Sequence, residues 1–101
     1  MRPCRIVGRV EFEWDEGKRE SNFAKHSVDF ADAIQVFRDA HRLWGYDEDH
    51  SDFEDRWWTI GLTHDTVLFV VTTRRNDTTR LISARKATRD EERIYYESRS
   101  R

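Results

Sequence analysis

The apolar run "VLFVV", residues 67–71, limits the fold more than any other stretch of this sequence. Successive side chains of a β-strand point to opposite faces of the sheet, so an apolar residue at every position requires cover on both faces. Strand-like segments precede and follow this run after very short turns, which are too short for a helical crossover. The run is therefore predicted to lie in a central strand of an antiparallel meander.

The other elements are predicted from residue periodicity and from helix-capping residues. In chain order they are a strand over 10–14, helices over 16–26 and 28–37, strands over 41–46, 56–63, 66–73 and 78–85, and a helix from Thr88 through about Glu97. Their order, β-α-α-β-β-β-β-α, predicts one α+β domain over residues 1–101. It has a small antiparallel sheet of about four to five strands, flanked by three helices packed on one side of the sheet. The last four residues, 98–101, are predicted to fray.

The two N-terminal helices differ in their apolar content. In the helix over 28–37, apolar residues at intervals of three and four form a single stripe that is predicted to face the core. They are Phe30, Ala33, Ile34 and Phe37. The helix over 16–26 has a polar stripe instead, in which Lys18, Asn22 and His26 follow one another at intervals of four. Because little apolar surface stabilises this helix, its polar stripe is predicted to have another use.

Composition excludes several classes of protein. Cys4 is the one cysteine, so an internal disulfide is impossible, which fits a reducing cytoplasm. No apolar run reaches the roughly 18 residues of a membrane span, and no apolar stretch forms a signal peptide. A cytoplasmic protein is predicted. The four histidines lack metalloprotease spacing, and no glycine-rich phosphate loop occurs, so no cofactor and no metal are predicted.

The net charge of −2 hides a strong segregation of charge along the chain. Residues 47–55 contain six acids and no lysine or arginine, and residues 74–89 contain six basic residues and one acid, Asp77. A local cationic segment matters more than net charge for binding phosphate. The basic segment therefore predicts either a phosphate contact or a salt-bridged surface.

Strict alternation along the strand "RLISARKAT" separates its cations. It places Arg80 and Lys86 on one face and Arg85 on the other. Across a short turn, Arg74 and Arg75 are brought near Arg80 by hairpin pairing. Several guanidiniums then converge, and the planar fork of arginine suits phosphate.

Three further residues are candidates, each with a plainer alternative. Trp57 lies on the face opposite Trp58, so it either stacks on a nucleobase or packs against a helix or partner. His26, beside Lys25, either exchanges a proton near neutral pH or is an inert surface histidine. Glu54 is either a general base or part of a solvated acidic loop.

Four blocks together resemble the BrnT family of bacterial toxins, the ribonuclease halves of type II toxin–antitoxin pairs. They are "FEWDEGKRESNFAKHSVDFADAIQVF" (12–37), "EDRWWTIGL" (54–62), "LFVVTTR" (68–74) and "RLISARKATRDEERIYYE" (80–97). The specific patterns are W-D-x-x-K-x-x-x-N-x-x-K-H and I-S-A-R-x-A-T. The family pattern usually has glycine after the histidine, where this chain has Ser27. Residues 1–10 precede the usual start and are predicted to be an N-terminal extension; a further strand segment, an upstream start codon and an expression remnant are all open.

The resemblance implies a RelE-like fold and metal-independent endoribonuclease activity that inhibits translation. It also implies neutralisation by a cognate BrnA-like antitoxin in a toxin–antitoxin hetero-oligomer. That complex would bind promoter DNA through the antitoxin.

Site residues are assigned on this basis. Arg74, Arg80 and Arg85 are predicted to clamp the scissile phosphate, with help from Lys25, and His26 or Glu54 is predicted to transfer protons. Further RNA contacts are predicted for Arg75, Lys86, Arg89, Trp57 and Lys18. Two alternatives stay open: a cationic module that docks a partner without cleaving RNA, and an inactive homologue kept for transcriptional control.

Overall fold

Three α-helices and six strands make up the part of the chain that is described below. The structure, a computed structural model, describes the backbone of residues 4–7 and 10–101 and the side chains of residues 10–101. The elements are β1 (Cys4–Val7), β2 (Val10–Glu13), α1 (Glu16–His26), α2 (Phe30–Ala33) continued by a 3-10 helix (Ile34–Arg38), β3 (Leu43–Tyr46), a 3-10 turn (Glu48–His50), β4 (Arg56–Thr63), β5 (Thr66–Arg75), β6 (Thr78–Lys86) and α3 (Arg89–Arg99).

One sheet contains all six strands in the order β1-β2-β6-β5-β4-β3. The α+β fold and the predicted element order are confirmed, and β1 adds a sixth strand from within the predicted N-terminal extension. The pairing of β2 with β6 is parallel, which corrects the prediction of a purely antiparallel sheet. Short turns fix the direction of consecutive strands, whereas β2 and β6 are separated by most of the chain, so no hairpin sets their relative direction.

Both faces of β5 are covered. Leu68 and Val70 pack against α2 and the 3-10 helix, on what we call the α2 face of the sheet. Val67 and Phe69 pack near Tyr95 of α3, on the α3 face. The prediction that all helices lie on one side is therefore wrong, because a strand that is apolar on both faces needs cover on both.

The second predicted helix is only partly α-helical. Asp29 caps it as a side-chain acceptor for the amide of Ala31 (3.0 Å), and the chain then tightens into the 3-10 helix after Ala33. Side chains three residues apart eclipse in a 3-10 helix. This brings Val36, which is off the predicted α-helical stripe, into line with Ala33, and both are fully buried.

Helix α1 is attached to the sheet by a polar contact. The side chain of Asn22 donates to the carbonyl of Ala84 (2.8 Å) and accepts from its amide (3.1 Å), in the part of β6 beyond its pairing with β2. The carboxamide thus makes the hydrogen bonds to the Ala84 backbone that a neighbouring strand would otherwise make at this edge. The bonds of Asn22 to Ala84 give the predicted polar stripe its use. They also explain how α1 forms with little apolar surface.

Helix α3 begins with the predicted capping box of Thr88 and Glu91 and ends at Arg99, two residues beyond the predicted end. Tyr95 is buried and Tyr96 exposed, which confirms that the pair divides between core and surface. Among the helices that the structure describes, none has the length and apolar character that crossing a membrane requires.

Candidate active site

A β-bulge in β6 decides which arginines share a face. Val71 pairs with Ser83 and Thr72 with Leu81, which leaves Ile82 as an extra residue. One extra residue reverses the alternation of side chains beyond it. Arg80 and Arg85, which strict alternation separates, therefore both lie on the α3 face.

Two more arginines occupy this face. Arg56 of β4 is in register with Thr73 of β5, which pairs in turn with Arg80 of β6. Arg75 follows Thr73 two residues later and so lies on the same side. We call the set Arg56, Arg75, Arg80 and Arg85 the arginine face; it occupies part of the α3 face.

Arg85 is held rigidly. Its guanidinium donates two hydrogen bonds to Glu91 (2.7 and 3.0 Å) and lies 4.2 Å from the centre of the Phe69 ring. The pairing with Arg85 lowers the pKa of the Glu91 carboxyl, which also accepts the amide of Thr88. Glu91 therefore caps α3 and orients Arg85 at the same time.

Arg80 is the most buried arginine of the set, with 8% of its side chain exposed. Its Nη1 lies 3.7 Å from Oε1 of Glu13, beyond normal hydrogen-bond distance. Within the described residues, this buried nitrogen makes no hydrogen bond. A buried donor without an acceptor is energetically unfavourable.

Glu54 lies between the other two arginines. Its carboxylate oxygens are 3.9 Å from Nη2 of Arg56 and 3.9 Å from Nη2 of Arg75. The predicted acidic residue is thus at the arginine face. These distances leave both ion pairs loose, and Arg75 is 46% exposed.

A cleft of about 390 Å³ opens beside these residues. It is lined by Asp47, His50, Arg56, Trp58, Phe69, Val71, Ser83 and Arg85. The imidazole Nδ1 of His50 is 3.0 Å from Oδ2 of Asp47, so the acid orients the ring. The cleft therefore combines two guanidiniums with an oriented titratable group.

The other predicted site residues lie elsewhere. Arg74, Trp57 and Lys86 are on the α2 face, across the sheet from the arginine face. Lys18, Lys25 and His26 belong to α1, and Arg89 is exposed in the first turn of α3. A spacing of four residues puts Lys18 and His26 on the side of α1 that carries Asn22, toward the edge of β6.

Sequence reasoning missed Arg56, His50 and Phe69. Arg56 could have been found, because its two-residue spacing from Trp58 places both on one face of β4. His50 carries no local signal, since its position depends on how the acidic loop folds back over the sheet. Over the residues that the structure describes, no group of three or more His, Cys, Asp and Glu side chains is arranged to hold a metal ion.

A family model described as the ribonuclease toxin BrnT of type II toxin–antitoxin systems matches residues 14–91, well over half of the chain. The matched segment runs from the end of β2 to Glu91 and includes the whole arginine face. No curated protein matches the chain.

Proposed function

The chain belongs to the BrnT family of ribonuclease toxins of type II toxin–antitoxin systems, and from this premise we propose that it is a metal-independent endoribonuclease. Its RNA cleavage inhibits translation in the cytoplasm, and a cognate BrnA-like antitoxin neutralises it in a hetero-oligomer. That complex contacts promoter DNA through the antitoxin.

The observation that carries the proposal is that four arginines share one sheet face, two of which, Arg80 and Arg85, do so because of the β6 bulge. In metal-free cleavage the 2′-oxygen attacks the adjacent phosphorus and the bond to the 5′-oxygen breaks, leaving a 2′,3′-cyclic phosphate and a 5′-hydroxyl. Guanidiniums fixed in place before the reaction stabilise the charge that develops on the phosphorane. Arg80, Arg85 and Arg56 are assigned to this clamp, and Arg75 to a neighbouring RNA phosphate.

Two groups are assigned to proton transfer. Glu54 accepts the proton of the 2′-hydroxyl, and His50 donates one to the leaving 5′-oxygen. His50 replaces His26 in this role because it lines the same cleft as Arg56 and Arg85. The cations of α1 and α3, namely Lys18, Lys25 and Arg89, are assigned to flanking phosphates. Arg74, Trp57 and Lys86 are given no role in cleavage or RNA binding, because they lie on the α2 face.

The test is cleavage of labelled RNA by the purified protein in EDTA. Arg85→Ala should reduce the rate by about a hundredfold or more, the usual effect of removing a group that stabilises developing charge. Arg93→Ala is the matched control, because Arg93 is likewise paired with a carboxylate, Asp90 at 3.2 Å, but does not belong to the arginine face. His50→Ala should reduce cleavage and His26→Ala should not. Equal rates for wild type and Arg85→Ala would rule out the assigned clamp.

A non-catalytic role is the second candidate, as a module that acts with a DNA-binding antitoxin in autoregulation. It is favoured by one observation: each arginine of the arginine face lies within 4 Å of a carboxylate of the same chain. Neutralised cations are typical of a structural surface. Reproducible RNA cleavage in EDTA that the antitoxin abolishes would exclude a purely binding role.

A further inference from the structure

The free edge of the sheet at β3 has the features of a docking site. β3 is the last strand in the sheet and, among the residues that the structure describes, pairs with β4 alone. Beside it, on the α2 face, lies a cleft of about 360 Å³. We call it the β3-edge cleft; its main side chains are Phe37, Arg42, Trp44, Trp57 and Arg74. The arginine face is on the other side of the sheet.

The backbone of β3 presents unpaired groups at this edge. The amide of Asp47 donates to the carbonyl of Arg56 (2.8 Å), so residue 47 points toward β4. Backbone groups alternate in direction along an antiparallel strand. Those of Trp44 and Tyr46 therefore point away from β4, toward the free edge.

The same two residues expose large aromatic side chains. Trp44 is 64% exposed and Tyr46 41% exposed. Their ring centres lie 6.2 and 5.1 Å from that of Trp57 on β4. Clusters of tryptophan, tyrosine and arginine dominate the energy of protein interfaces.

Charge indicates the chemistry of the occupant. Arg42 and Arg74 line the β3-edge cleft, and no Asp or Glu is among the residues that line it. Arg42 donates to the backbone carbonyl of Asp39 (3.1 Å), a neutral acceptor, and within the described part of the chain it forms no ion pair with a carboxylate. The arginine face is different, since carboxylates of the chain accompany its cations. An occupant of the β3-edge cleft should therefore be acidic.

We propose that an extended, acidic segment of the antitoxin adds to β3 as a further strand. Its backbone bonds the outward groups of Trp44 and Tyr46, and alternate side chains lie over the aromatic cluster and reach Arg42. The inference rests on the antitoxin partner that the family implies. A polypeptide fits better than RNA, because its alternating N–H and C=O groups match those of the strand edge.

Hydrogen exchange tests the backbone contact directly. The sample is the complex of this chain with the antitoxin encoded by the adjacent reading frame, compared with the free chain. The amides of Trp44 and Tyr46 should exchange at least tenfold more slowly in the complex. The amide of Asp47, already bonded to Arg56, is the internal reference. Unchanged exchange at Trp44 and Tyr46 in a fully formed complex would overturn the proposal.

Variants separate the contributions of backbone, ring and charge. Trp44→Pro removes an outward N–H that β4 does not use, whereas Trp44→Thr keeps the N–H and removes the ring. The two Trp44 variants and Arg42→Glu should each weaken antitoxin binding at least tenfold. RNA cleavage by the same variants without antitoxin should stay unchanged. Arg93→Glu controls for charge reversal. Thermal unfolding checks that each variant is folded.

Three other results would contradict the proposal. One is weaker RNA binding with normal antitoxin affinity, which would make the cleft an RNA subsite. Another is a change in self-association with normal antitoxin affinity, which would make β3 a contact between copies of the chain. The third is normal antitoxin affinity in all three variants. Failure of wild-type protein to cleave RNA would instead contradict the proposed function and leave the exchange result intact.

Discussion

The guanidinium of Arg85 lies 4.2 Å from the centre of the Phe69 ring, directly across the β5–β6 pair. Stacking of this kind contributes about 0.5 to 2 kcal/mol and fixes the plane of the guanidinium. Phe69→Leu should therefore slow RNA cleavage about three- to tenfold, since 1.4 kcal/mol corresponds to a factor of ten. Phe69→Tyr keeps the ring and should cleave at close to the wild-type rate. A Leu variant that cleaves like wild type would show that the ring does not position Arg85.

In the proposed clamp, Glu91 would compete with RNA for Arg85. Glu91→Gln keeps a capping-box residue at the start of α3 but removes the charge opposite Arg85. The released cation should bind RNA more tightly and make the dependence of log K on log salt steeper by about 0.7. Asp90→Asn, which releases the exposed Arg93, is the control. Filter binding at several salt concentrations measures the slopes; equal slopes for Glu91→Gln and wild type would contradict the prediction.

Glu91→Gln should also change how the free energy of unfolding depends on pH in the acid range. Because the folded pKa of Glu91 is lowered, its charged form stabilises the fold above the unfolded pKa, and this contribution is lost as pH falls through the folded value. Wild-type protein should lose stability on going from pH 6 to pH 3 more steeply than Glu91→Gln. Urea unfolding at each pH gives the comparison.

Deletion of Ile82 should remove the β6 bulge. Without the extra residue, Leu81 and Ser83 become neighbours in regular alternation, so Leu81 stays buried on the α2 face and Arg80 stays on the α3 face. Because no core side chain is lost, the free energy of unfolding should fall by less than the roughly 2 to 5 kcal/mol that truncation of a buried leucine costs. Leu81→Ala, which removes that leucine, is the control. Urea midpoints that are equally low for the deletion and for Leu81→Ala would contradict the assignment of Ile82 as the extra residue.

Ser27 ends α1 in the left-handed region, at φ 59°, with its amide bonded to the carbonyl of Phe23 (2.8 Å). This region favours glycine, which is the residue that the family pattern usually has here. Ser27→Gly should raise the free energy of unfolding by about 0.5 to 1 kcal/mol. Ser27→Ala keeps the Cβ and should give no gain. Thermal unfolding of the three proteins decides between these outcomes.

The sequence predicted the strands and their order well because both depend on local features. The continuous apolar run over 67–71, the capping residues and the short turns all act over a few residues. The parallel pairing of β2 with β6 and the contact of Asn22 with Ala84 join segments far apart in the chain, so no local pattern indicates them.

The arginine face was mispredicted for one physical reason. Strict alternation along β6 ignores the bulge, and so it separated Arg80 from Arg85. A signal was present: Leu81 and Ala84 are both suited to the core but are an odd number of residues apart. Both are fully buried on the α2 face, which requires one extra residue between them.

Asp39 connects the end of the 3-10 helix to both β4 and α3. Its carboxylate accepts the Tyr95 hydroxyl and the amide of Leu62 (2.8 Å), and its other oxygen accepts the amide of His41 (2.9 Å). Burial raises the pKa of Asp39, but the three hydrogen bonds outweigh this and hold the pKa below its ordinary value. Burial and the bond to Asp39 raise the pKa of Tyr95 to about 12.

This pair should limit stability at both ends of the pH range. Asp39 stabilises the fold above its unfolded pKa of about 4, and that contribution is lost as pH falls further. Tyr95 stabilises the fold below its unfolded pKa of about 10, and this contribution is lost as pH rises toward 12. Tyr95→Phe has no hydroxyl to ionise, so between pH 10 and 12 it should lose less stability than wild type, by about 2 to 3 kcal/mol at most. Tyr96→Phe, at an exposed ring, should retain the wild-type loss; identical alkaline profiles for wild type and Tyr95→Phe would exclude this role of the pair.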